Sequence, residues 1–170
     1  MLPVAIIMVA YSCLALIEHE TELLYETMVR KAGDRNLELL LNLILQETKG
    51  HEEIFKHLAR LHDETYPPAV ADCKAALGKV FAESVEFTKD LSSRVQNGMP
   101  LLDAMGKLAG YEGAVGEEYM TLVGSRLSTF DEEDSTIRKI LLHIAKDEEG
   151  HKEILRQAIG ADSRVQGRSA

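Results

Sequence analysis

Apolar residues recur along most of the chain at steps of three and four or their multiples, the period of a helix that buries one face. Leu14, Ile17, Leu24 and Met28 predict a first helix over about residues 4–31, and Gly33 with Asp34 or Asn36 marks a stop and a restart. A second helix over about 36–62 runs through Leu39, Leu40, Leu43, Ile44, Ile54, Phe55 and Leu58, with Glu47 and His51 in the same run. The short connection makes these two helices antiparallel neighbours. Tyr66-Pro67-Pro68 breaks the pattern. A third helical stretch over about 69–96 carries Val70, Ala76, Leu77, Val80, Phe81 and Val85, with a kink expected near Gly78 and an end at Asn97-Gly98. A further helix starts near Pro100 and runs to about 126; Thr129-Phe130-Asp131-Glu132 reads as a capping box, and a last helix follows over about 130–158. No alternating strand pattern occurs. The expected fold is all-α: one bundle over 1–160, made of a helical hairpin (4–62), a partly helical crossover (63–99), a second hairpin (100–158) and a polar, fraying tail (161–170).

The two hairpins repeat each other. Ile17-Glu18 with Tyr25 matches Tyr111-Glu112 with Tyr119, and Gly50-His51-Glu52-Glu53-Ile54 matches Gly150-His151-Lys152-Glu153-Ile154. Two copies of one hairpin make a four-helix bundle, and they place like residues at like depths.

Chemistry enters through that repeat. Glu148 and His151 are three apart, so a carboxylate and an imidazole stand one turn apart on one helix face, in reach of the same ion. Glu112 shares a face with Tyr119 two turns on, and Glu18 with Tyr25 repeats the arrangement. A glutamate buried in an apolar helix is costly unless it is paired or metal-bound. Each tyrosine is placed to donate its hydroxyl to a ligand carboxylate. Gly50 and Gly150 stand beside the histidines, and a helical glycine costs about 1 kcal/mol relative to alanine, which suggests a close neighbour there. One glutamate from each of two helices and a Glu-x-x-His from each of the other two build a di-iron or di-manganese carboxylate site.

On these motifs, together with Asp147-Glu148-Glu149-Gly150-His151 and the lead-in Asn97-Gly98-Met99-Pro100-Leu101-Leu102, the chain resembles the rubrerythrin-like branch of the ferritin-like superfamily over about residues 8–158. The resemblance implies a ferritin-like four-helix bundle holding two iron ions, or manganese or zinc in their place. Its ligands would be Glu18, His51, Glu112, Glu148 and His151, with Tyr25 and Tyr119 behind them. It also implies reduction of peroxide or ferroxidase-like oxidation by oxygen. The chain departs from the family at Thr48, where the pattern has the glutamate that bridges the metals; Glu47, four before His51, lies on nearly the same face and is the candidate sixth ligand. Four carboxylates neutralise two divalent ions, whereas three leave an excess of one positive charge. The family's four-cysteine electron relay is also missing, so a separate electron donor would be required. Two other readings use the same scaffold: a metal carrier or store with an incomplete site, and a metal-free structural or dimerisation module.

Composition adds limits. The chain has 170 residues, 45% of them hydrophobic, and a net charge of −9, which disfavours a nucleic-acid partner. Cys13 and Cys73 form no CxxC, so no zinc ribbon and no disulfide framework is expected, and a reducing cytoplasm fits. The stretch from Met1 to Ile17 is apolar apart from Ser12, but no basic segment precedes it and Glu18 ends it; it reads as the start of a buried helix rather than a leader or a membrane span. A homodimer is expected, through that apolar start or through Gly106, Gly110, Gly113 and Gly116 of the fourth helical stretch. Among the remaining candidates, Glu83 and Glu86 of the crossover are expected to be exposed, with an extra ligand as the alternative. His19, His57, His62 and His143 are expected at the surface or at helix contacts.

Overall fold

A computed structural model describes residues 10–126 and 133–166. All of its regular structure is helical: α1 (Ala10–Lys31), α2 (Arg35–Leu61), α3 (Val70–Leu77), α4 (Lys79–Gln96), α5 (Leu101–Arg126) and α6 (Glu133–Gln166). The expected all-α class holds. Residues 4–9 of the first expected helix and the capping box at 129–132 lie outside the described residues. Helix α6 continues past the expected end at 158 to Gln166, because Gly160 weakens a helix without stopping it.

The chain divides into two compact units, Met1–Met99 and Pro100–Ala170, at the start of the second hairpin. In the first unit, α1 and α2 are antiparallel across a short turn. Asp34 caps α2: its side chain accepts from the backbone N–H groups of Asn36 and Leu37 at 3.0 Å each, a cap worth about 1 kcal/mol. The buried stripe of α2 runs through Leu41, Ile44, Leu45, Thr48, His51, Glu52, Phe55 and Leu58, at helical spacing. It packs with Leu14, Ile17, Leu24, Tyr25 and Met28 of α1, all buried. Leu39 and Leu43 lie outside this stripe and are 60% and 51% exposed, since the buried arc of α2 is centred on Leu41, Ile44 and Leu45.

The crossover kinks where expected. Gly78, at φ 60° and ψ −133°, ends α3 and starts α4, a backbone conformation open mainly to glycine. Helix α4 lies along α1 with Phe81, Ser84, Thr88, Leu91 and Val95 buried, and the Ser92 hydroxyl donates to that of Thr27. Val70 is exposed, and the one buried residue of α3 is Cys73.

Cys73 is bonded to Cys13 of α1, with a Cα–Cα separation of 5.4 Å. This corrects the expectation of no disulfide. Two cysteines 60 residues apart reveal no partnership until the crossover folds back on α1. The bond also removes the ground for expecting a reducing cytoplasm, because disulfides persist in oxidising compartments. Among the described residues no helix is long and apolar enough to cross a membrane.

In the second unit α5 and α6 form an antiparallel hairpin. Its core is Met105, Leu108 and Tyr119 of α5 with Leu141, Ile144 and Leu155 of α6.

Candidate metal centre

Each hairpin buries a carboxylate–imidazole group at the depth where the sequence repeats. On the first, Glu18 of α1 and His51 of α2 are 2% and 4% exposed, and Glu18 Oε2 lies 3.9 Å from His51 Nδ1. On the second, His151 Nδ1 lies 3.5 Å from Glu148 Oε2 on the same helix and 4.0 Å from Glu112 Oε2 across the hairpin. Glu112, Glu148 and His151 are all buried, and their donor atoms lie within 4.8 Å of one another.

These separations suit a shared cation. Bonds of about 2.1 Å to a first-row divalent ion place two of its ligands at most about 4.2 Å apart. Mixed oxygen and imidazole donors suit iron, manganese or zinc. Three ionisable side chains buried together would otherwise carry a large desolvation cost. Tyr25 and Tyr119, two turns after Glu18 and Glu112, are also buried.

The expected sixth ligand, Glu47, does not join the buried groups. Glu47 is exposed on α2, while Thr48 is buried and donates its hydroxyl to the Ile44 carbonyl at 3.0 Å. A residue four before His51 is turned about 40° from it, which here crosses the edge of the buried arc. Glu83 and Glu86 of the crossover are exposed, as expected. His57 is exposed, and His143 is exposed beside Asp147, 3.8 Å away. His62 ends α2 and stacks on Tyr11, with ring centroids 5.1 Å apart.

The glycine expectation is also corrected. A Cβ at Gly50 or Gly150 would meet nothing within 4 Å, so no close neighbour explains them among the described residues. The tight glycines are on α5. A Cβ at Gly113 would lie 2.8 Å from Cδ of Lys152, and one at Gly116 would lie 3.2 Å from the Ala145 carbonyl oxygen and 3.2 Å from Glu148 Cβ.

One polar cluster has no counterpart in the sequence reading. Half-exposed His19 approaches Glu52 at 3.4 Å, and Glu22 hydrogen-bonds to Glu52. Lys56 pairs with Glu52, Lys49 lies 3.5 Å from Glu22, and the Tyr66 hydroxyl donates to Glu52 at 3.1 Å. Burial, then the hydrogen bond to Glu52, raises the Glu22 carboxyl above its ordinary value. Burial alone would raise Glu52 as well, but hydrogen bonds from Glu22 and Lys56 outweigh it and hold Glu52 low. Burial and the Glu52 charge push Tyr66 up to about 12. His19, Glu22 and Glu52 have the donor types of a metal site, but the two lysines already meet the acidic charge. The clue in the sequence was His19-x-x-Glu22 facing Glu52-x-x-x-Lys56, two same-face pairs on adjacent helices.

Set against protein-family models, curated proteins and solved structures, the chain finds no match.

Proposed function

We propose that the chain is a ferritin-like metal protein, resembling rubrerythrins, that holds a pair of iron or manganese ions. Glu18, His51, Glu112, Glu148 and His151 are its ligands. The observation that carries this reading is the buried Glu112–Glu148–His151 triad, with donors within 4.8 Å, repeated in kind by the buried Glu18–His51 pair. A bound ferrous pair supplies two electrons to peroxide or oxygen. The protein's own part is to hold and neutralise the cations with Glu18, Glu112 and Glu148, and to fix the imidazoles of His51 and His151. The surrounding leucines, isoleucines and methionines keep bulk water out. Tyr25 and Tyr119 orient the carboxylates from behind. Reducing one peroxide to two waters consumes two electrons and two protons, and a separate donor restores the electrons.

Thr48 favours a second reading, a carrier or store. With Glu47 exposed, three carboxylates face two dications and leave one positive charge in excess. Anaerobic ferrous loading followed by peroxide separates the two. Stoichiometric oxidation of iron with repeated turnover under a reductant supports the enzyme, and iron that is held without turnover supports the carrier. Glu148→Gln/His151→Ala abolishes both behaviours if these residues are ligands.

A further inference from the structure

Gly116 lies one turn after Glu112 on α5 and is buried against α6. The atoms that a side chain there would meet are the Ala145 carbonyl oxygen and Glu148 Cβ, both at 3.2 Å, and the Glu149 nitrogen at 3.8 Å. All three are fixed by the backbone of α6, so no rotamer change relieves the contact. Gly113 differs, because the atoms over it belong to the flexible stem of Lys152. Gly110 differs again, because a Cβ there meets nothing within 4 Å. The closest enforced approach of α5 to α6 at these glycines therefore falls at the root of Glu148.

We infer that Gly116 is a positioning residue for the metal triad: its missing side chain sets the α5–α6 spacing that lets Glu112 share a cation with Glu148 and His151. The inference rests on reading that triad as a metal site. Glu148 and His151 are on one helix, so their 3.5 Å separation is insensitive to helix spacing. Glu112 reaches across, and its 4.0 Å to His151 is already close to the longest separation two ligands of one ion allow, about 4.2 Å. A methyl group at 116 forces a neighbour to give by a few tenths of an ångström. That shift is enough to take Glu112 out of the coordination sphere.

The test is a cobalt(II) titration of the full chain, followed by visible absorption. It compares wild type with Gly110→Ala, Gly116→Ala, Glu112→Gln and the double variant Glu112→Gln/Gly116→Ala. Gly110→Ala should bind as wild type does. Gly116→Ala should bind about 10- to 100-fold more weakly, the usual cost of disturbing a supporting residue. In the Glu112→Gln background, Gly116→Ala should have no further effect, because the ligand it positions is gone; a general loss of packing would still weaken binding there. Gly116→Ala is also made on Gly110→Ala, whose added helix propensity keeps the chain folded. Wild-type affinity in folded Gly116→Ala, or a full further loss in the double variant, would overturn the inference while leaving the metal site intact. Absence of cobalt binding by wild type, or binding indifferent to Glu112→Gln, would overturn the metal reading and this inference with it.

Discussion

Reducing the Cys13–Cys73 bond gives a sharp test of how the first unit is held together. The bond closes a loop of 60 residues between α1 and α3. In the chain-entropy view, a cross-link of that span removes about 14 cal/mol/K from the unfolded state, or about 4 kcal/mol at room temperature. The effect is local as well as global. Helix α3 has eight residues, too few for stability alone, and Cys73 is its one buried residue. The segment before it is held differently: the Ser12 N–H donates to Glu64 at 2.7 Å, Tyr11 stacks on His62, and Tyr66 bonds to Glu52. Urea unfolding of the oxidised and reduced chain should show a midpoint lowered by about 2 M, taking a slope of about 2 kcal/mol/M. Hydrogen exchange on the reduced native chain should show residues 70–77 losing protection while 62–66 and α6 keep theirs. Coincident midpoints together with an α3 that stays protected would refute the reasoning.

Three further outcomes follow from individual groups. Gly50→Ala and Gly150→Ala should each raise stability by about 1 kcal/mol in thermal or urea unfolding, since open space surrounds both and only helix propensity changes; destabilisation would mean that a neighbour packs there after all. Burial, only partly offset by the Ser12 N–H, raises the Glu64 carboxyl above its unfolded value. Its protonated form is therefore favoured in the fold, and its contribution declines as pH rises from its unfolded value through its folded one. Glu64→Gln, which mimics that form, should match wild type in acid and exceed it in Tm at neutral pH; a lower Tm at neutral pH would contradict this sign. In a spectrophotometric titration, one of the five tyrosines should ionise near 12, and Tyr66→Phe should remove that step; an unchanged curve would show that Tyr66 does not respond to Glu52.

The helices and the buried carboxylates and imidazoles were legible in the sequence because both are written in local spacing. The apolar period located α1, α2, α4 and α5, and Gly78 marked the crossover kink. Glu148-x-x-His151 fixes a face with no tertiary information. What stayed hidden depends on register between helices. Glu52 is adjacent to His51 and turned about 100° from it, so its burial follows only once α1 supplies His19 and Glu22. Glu47 and Thr48 sit on opposite sides of the edge of the buried arc, which helical period alone locates to within a residue or so. Leu39 and Leu43 have the right period but lie beyond that arc. The disulfide joins residues whose proximity is a product of the fold. Glycines in a helix announce a missing Cβ without saying which ones are crowded: Gly50 and Gly150 face open space, and Gly116 faces the root of Glu148.

The most direct measurement is the metal content of the chain. After anaerobic loading with ferrous or manganous ion and removal of excess, elemental analysis should give two metal ions per wild-type chain and a background level in Glu148→Gln/His151→Ala. A metal-free wild type, or a variant that retains the full complement, would contradict the proposed centre.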